Sequence, residues 1–161
     1  MGENRGIVEV DETYVGGKPR HRNNPRAPYR AKAITKKSDK AIVMAMVERG
    51  GCVKTRPVAD VTSNTLQLVM RENIDKSARS APDQNLAYNG CHEYFVSGHS
   101  TVNHSAKEYV RGIVHTNTVE GFFSTVKRGL NGIYHSVSKE HLHRYMSEFE
   151  FRYNHRHMED L

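Results

Sequence analysis

An acid and a lysine seven residues apart, Glu120 and Lys127, lie in the run His115-Thr-Asn-Thr-Val-Glu-Gly-Phe-Phe-Ser-Thr-Val-Lys-Arg-Gly-Leu-Asn131. Val119, Phe122, Phe123, Val126 and Leu130 recur there at offsets 0, 3, 4, 7 and 11, which is one apolar stripe of a helix. Asn117, Glu120, Ser124 and Lys127 form a second stripe beside it, at offsets 0, 3, 7 and 10. A helix over 115–131 therefore projects Glu120 and Lys127 from one face, about 10 Å apart at roughly 1.5 Å per residue. An acid beside a buried stripe, with a base two turns on, suits a metal site that must also hold a phosphate backbone. The same pattern describes a surface acid and a surface lysine on an amphipathic helix.

A second acid has a different setting. Gly6-Ile-Val-Glu-Val-Asp11 reads as a short strand with Asp11 at its end. Ile7, Val8 and Val10 do not alternate cleanly with polar residues, which fits a central strand buried on both faces. The end of such a strand is where an α/β fold tends to place chemistry, although an Asp there can also simply start a turn. Glu12 follows, but strand neighbours point to opposite faces, so at most one of the two serves a given site.

Glu120 with Lys127 resembles the E(6)K signature of DDE transposases. The longer run from His115 through Lys127-Arg-Gly-Leu-x-Gly-x-Tyr-His135, followed by Glu148-Phe-x-Phe-Arg-Tyr-Asn-x-Arg156, resembles the ISXO-like branch of bacterial insertion-sequence transposases. Val8-Glu-Val-Asp-Glu-Thr-Tyr-Val-Gly-Gly-Lys18 resembles that branch's first catalytic block. The E(6)K pair alone is weak; the three blocks in order are specific, and together they cover about residues 6–156. The resemblance implies a second catalytic acid after the fourth strand. The matching position is Asp83, reached through Pro82 where the family usually has Thr-Asp. Asp60 and Asp75 compete for that role; one would begin and the other end the first helix.

The net charge of +6 favours a polyanionic partner, a feature shared with ribosome-associated and membrane-surface proteins. The two cysteines, Cys52 and Cys91, form no Cys-x-x-Cys, which excludes a local zinc ribbon and gives no disulfide framework. The longest apolar run, Ala41–Val47, is far short of a membrane span. No Walker loop or Rossmann fingerprint is present. These features make a cytoplasmic, nucleoid-associated protein the expectation.

The elements that must position the acids follow in order. Residues 15–37 are broken by Gly and Pro and carry Lys18, Arg20, Arg22, Arg26, Arg30, Lys32, Lys36 and Lys37, eight of the 24 basic residues. This stretch reads either as a solvated loop or as a mobile arm contacting phosphates. Lys40–Arg49 and Cys52–Val58 bracket Gly50-Gly51, an antiparallel hairpin signal. Val61–Lys76 is the first helix, with Leu66, Val69, Met70 and Ile74 inward and Thr62 or Ser63 as N-cap. Residues 77–83 hold the fourth strand, Leu86–Tyr88 a short helix, and Thr101–His104 offers a fifth strand. Leu142, Tyr145, Met146, Phe149 and Tyr153 mark a last helix, with Ser138 as N-cap and Arg144, Glu148 and Arg152 lacing its outer face. The basic end of that helix, Arg152 to Arg156, reads as a DNA surface or as charge complementing the helix dipole.

The expected fold is α/β, a ribonuclease H-like mixed five-stranded sheet flanked by helices, as one domain over 1–161 with a basic flexible insertion at about 15–39. The family's N-terminal DNA-recognition domain is expected to be absent. The resemblance implies metal-dependent cleavage and strand transfer at insertion-sequence ends, with Asp11, Asp83 and Glu120 as catalytic residues and metal ligands. Phosphodiester chemistry of this kind needs two Mg²⁺ (or Mn²⁺) ions on oxygen ligands. Lys127, Arg128, Lys18, Arg20, Arg22 and Arg26 are the expected DNA-binding residues. Asn117, His115 and His104 are candidates for a place next to the site, Asn117 as a supporting or helix-capping group. Double-stranded DNA, as transposon end and target, is the expected partner, with a homo-oligomer as the active form and no membrane. A ribonuclease H-like nuclease or resolvase, and a catalytically inactive DNA-binding module derived from a transposase, are the alternatives.

Overall fold

The computed structural model describes residues 1–3, 6–16, 40–82, 86–95, 116–135 and 137–158. Its described elements run in the order β1 (Ile7–Val15), β2 (Ala41–Glu48), β3 (Val53–Val58), α1 (Ser63–Asn73), β4 (Arg79–Pro82), α2 (Asn117–Gly132) and α3 (Leu142–Asn154), with 3-10 turns at Leu86–Tyr88 and Cys91–Glu93. The strands form a mixed sheet of order β3-β2-β1-β4. β2 is antiparallel to both of its neighbours, and β4 is parallel to β1. Among the described residues the sheet has four strands rather than the expected five; Thr101–His104 lies outside them.

The sheet separates two cores. Val43, Ala45, Val47, Val53 and Val15 face the stripe Val119, Phe122, Phe123, Val126 and Leu130 of α2 and Leu142, Met146 and Phe149 of α3. Val8, Val10, Met44 and Met46 face Leu66 and Met70 of α1 and Ile74 just after it, with Tyr88, Cys91 and Phe95. β2 is apolar on both faces because it lies between layers of helix, which is why Ala41–Val47 reads as a continuous run. The β2–β3 hairpin forms at Gly50-Gly51, with Gly50 at a φ of +72° that a side chain would disfavour.

Several element ends differ from the sequence reading; α1, read over Val61–Lys76, spans Ser63–Asn73. β1 extends to Val15, because Thr13, Tyr14 and Val15 continue the ladder with Val43, Ile42 and Ala41; it stops at Gly16, whose φ is +143°. Asp11 is therefore mid-strand rather than terminal. Thr62 does hold the N-cap position of α1, but its side chain makes no cap bond, since its hydroxyl donates to Asp60 Oδ1 at 2.7 Å. The last helix begins at Leu142 with His141 as N-cap, not at Ser138. A preceding turn, closed by His141 N–H on Ser138 O at 3.2 Å, takes up the intervening residues.

α2 and α3 approach closely at Gly129, where a Cβ would lie 2.5 Å from Cζ of Phe149. α3 also reaches the outer side of β3. Glu150 Oε2 accepts from Thr55 N–H and from Thr55 Oγ1, both at 3.0 Å. The Asn154 amide accepts from Val53 N–H at 2.7 Å and donates to Val53 O at 3.1 Å. Arg156, read from sequence as a DNA contact or dipole partner, donates to Tyr153 O and Gly51 O and lies 4.1 Å over the Tyr153 ring.

Candidate active site

Alternation along β1 sorts its acids. Glu9 and Asp11 share the face turned to α2, and Glu12 is on the face turned to α1, as the two-residue period requires. Glu12 accepts the hydroxyl of buried Tyr88 at 2.6 Å, tying β1 to the turn after β4. Asp11 is half-buried, and its Oδ1 accepts the Glu12 N–H at 2.8 Å. Among the described residues the last β1–β4 pair is Val10 with Pro82. Asp11 is thus the first residue of β1 beyond its parallel neighbour, while still paired with Ala45 on the other side.

Glu9 is fully buried. Its carboxylate accepts from Thr118 N–H at 2.8 Å, Val119 N–H at 3.1 Å, Thr118 Oγ1 at 2.9 Å and Arg49 Nε at 2.5 Å. Thr118 and Val119 stand in the first turn of α2, whose leading N–H groups have no partner within the helix. A strand carboxylate thus fills the usual office of an N-cap, and its charge complements the positive end of the helix. Arg49 follows β2 and supplies the opposite charge that a buried carboxylate needs.

Glu120 is the next residue of that helix. Its side chain is exposed, and its Oε1 accepts the hydroxyl of buried Thr116 at 2.8 Å. Thr116 is at the N-cap position and makes no side-chain bond to the helix N–H groups. Asn117 is the first helical residue and is exposed, so the capping role read for it falls instead to Glu9. Lys127 and Arg128 are exposed two turns on; Arg128 donates to Thr125 Oγ1 at 3.2 Å. Asp83, His104, His115, Lys18, Arg20, Arg22 and Arg26 lie outside the described residues.

The competing acids are engaged elsewhere, one before and one after α1. The Thr62 hydroxyl, the Thr65 hydroxyl and the Thr62 N–H hold the Asp60 carboxyl below its usual range. The Ser77 hydroxyl and N–H do the same for Asp75. Burial pushes the Cys91 thiol up, away from nucleophilic use. Among the described residues no three His, Cys, Asp or Glu side chains gather closely enough to hold a metal ion. Asp11 and Glu120 offer the hard carboxylate oxygens that Mg²⁺ takes, on a strand and a helix joined through Glu9. The sequence reading missed Glu9, Arg49 and Tyr88. The available signal for Glu9 was an acid inside a strand read as buried, two residues from Asp11.

The family model for the ISXO2-like transposase domain matches residues 4–154. This chain belongs to that transposase family. A protein of Halobacterium salinarum described as an uncharacterized protein in transposable element ISH50 is 31% identical over 156 residues, covering 91% of this chain and 52% of the relative. The chain thus spans about half the length of that relative. Among the described residues of this transposase domain, no helix is long and apolar enough to cross a membrane.

Proposed function

We propose that this transposase domain is catalytic, cleaving DNA at insertion-sequence ends and joining the cut end to a target in a metal-dependent reaction. The observation that carries the reading is the Glu9 junction, which fastens the strand bearing Asp11 to the helix turn bearing Glu120. Asp83 completes the set by chain position: it follows Pro82, the strand partner of the residue before Asp11. Asp11, Asp83 and Glu120 would hold two Mg²⁺ ions, which when bound activate the attacking oxygen and stabilise the leaving one. Lys127 and Arg128, on the exposed side of α2, bind DNA phosphates, and Lys18, Arg20, Arg22 and Arg26 add affinity independent of sequence. The order β-β-β-α-β with a mixed sheet supports a ribonuclease H-like fold. Double-stranded DNA is the substrate, and joining two ends calls for an oligomer.

The test is cleavage of duplex DNA carrying the element's ends, in Mg²⁺ or Mn²⁺, by the wild type and Asp11→Asn. Cleavage and joining that vanish in chelator and in Asp11→Asn are the expected result. Metal-dependent nicking without joining would identify a nuclease or resolvase. DNA binding with no metal-dependent nicking would identify an inactive binding module.

A further inference from the structure

Glu9 has no exposed surface and makes four short bonds to Arg49, Thr118 and Val119, yet it is not among the metal-holding groups proposed above. Three of those bonds go to the first turn of α2 and one to Arg49. A helix is ordinarily capped by a side chain of its own N-cap residue. Thr116 occupies that position but directs its hydroxyl to Glu120. The two duties are divided: β1 caps the helix through Glu9, and the N-cap residue holds the acid of the helix. Glu9 stands two residues before Asp11 on the same strand face, roughly 7 Å away at the strand repeat, and it bonds the residue immediately before Glu120.

We propose that Glu9 is a positioning residue that sets where Glu120 stands relative to Asp11, with Arg49 holding its carboxylate in place. This inference rests on the reading of Asp11 and Glu120 as metal-holding groups. The chemistry of the junction requires a carboxylate. Its four donors meet two oxygens that only accept, whereas the amide of a glutamine would turn an NH₂ toward at least one of them. Glu9→Gln therefore keeps the volume and loosens the junction. Partners that orient metal-holding groups change metal affinity by about 10- to 100-fold when mutated.

The experiment is a Mn²⁺ titration of the chain, reading free Mn²⁺ by electron paramagnetic resonance, so that binding is measured without catalysis. Wild type is compared with Glu9→Gln, with Thr118→Val, which removes one bond to Glu9, and with Met70→Ala, which weakens the opposite core. Thermal unfolding of each variant is recorded alongside. Glu9→Gln should raise the Mn²⁺ midpoint about tenfold or more, and Thr118→Val should raise it by less. Met70→Ala should lower the melting temperature and leave the midpoint in place, since lost stability alone does not move it. Should Glu9→Gln fail to fold, Thr118→Val carries the comparison. Folded variants at both positions with the wild-type midpoint overturn the positioning role while leaving the metal reading intact. A wild type that binds no Mn²⁺ overturns the metal reading and this inference with it.

Discussion

Replacing Gly129 by alanine puts a methyl group where α2 and α3 touch. The added Cβ would lie 2.5 Å from Cζ and 2.8 Å from Cε1 of Phe149. Carbon atoms rest at about 3.5–4.0 Å, so the ring must retreat by roughly 1 Å. It has little room, being 8% exposed and set edge-on to Tyr134 with centroids 6.4 Å apart. Overpacking of this kind costs about 1–3 kcal/mol. Against it stands the gain from replacing a helical glycine by alanine, about 0.8–1.0 kcal/mol. The balance is a loss of about 1 kcal/mol, or roughly 2–4 °C in melting temperature for a domain of this size. Gly121, in the same helix, has nothing within 4 Å of its would-be Cβ, so Gly121→Ala should show only the propensity gain and stabilise. In a Phe149→Leu background the clashing ring atoms are gone, and Gly129→Ala should change sign and stabilise too. Urea unfolding of the single and double variants measures all of these differences. A Gly129→Ala variant as stabilised as Gly121→Ala in the otherwise wild-type chain would refute the close packing of the two helices.

Other perturbations address the site and its surroundings. Glu120→Gln should reduce metal-dependent cleavage by orders of magnitude and Asn117→Ala much less, with folding checked by circular dichroism; the reverse ranking would hand the metal to Asn117. Changing Arg20, Arg22 and Arg26 to alanine should flatten the slope of log affinity against log salt by about 0.9 for each duplex phosphate that is no longer neutralised, and an unchanged slope would leave 15–37 a solvated loop. The Asp60 carboxyl titrates below its ordinary value of 3.8 in the folded chain, so its bonds stabilise above that pH and are lost as pH falls through the lowered value. The melting temperature of Asp60→Ala should thus fall short of the wild type near neutrality, and the gap should close below about pH 4; a gap independent of pH would assign the effect to something other than charge.

What is legible in the sequence is local. The two stripes of α2, the hairpin at Gly50-Gly51, the inward face of α1 and the opposed faces of Asp11 and Glu12 each follow from a periodicity of 3.6 or 2 or from one turn. The extent of β1 is hidden because Asp11-Glu12 looks like the polar end of a strand, while the ladder with β2 carries it on to Val15. Also hidden are the bonds that close across the chain. Glu9 and Val119 are 110 positions apart, Thr55 and Glu150 95, and Val53 and Asn154 101. No short window of sequence contains both partners. The Glu-Phe-x-Phe-Arg-Tyr-Asn-x-Arg run therefore reads as a helix with a basic end, although Asn154 and Arg156 bond backbone groups of Val53 and Gly51.

Those last bonds also decide how this sheet can meet another. An outermost strand ordinarily exposes a row of free backbone groups onto which a second chain can zip, in fibrils or in swapped dimers. Along β3 and the turn before it, part of that row is already claimed: Gly51 O by Arg156, both groups of Val53 by Asn154, and Thr55 N–H by Glu150. Pro57, two residues on, has no N–H to offer. A copy of the chain trying to extend the sheet here would first have to strip away α3, and with it part of the core. These bonds oppose sheet extension at the Val53 end of β3. Substitutions at Glu150 and Asn154 should therefore appear first as aggregation on expression, before any loss of the DNA cleavage proposed for the domain.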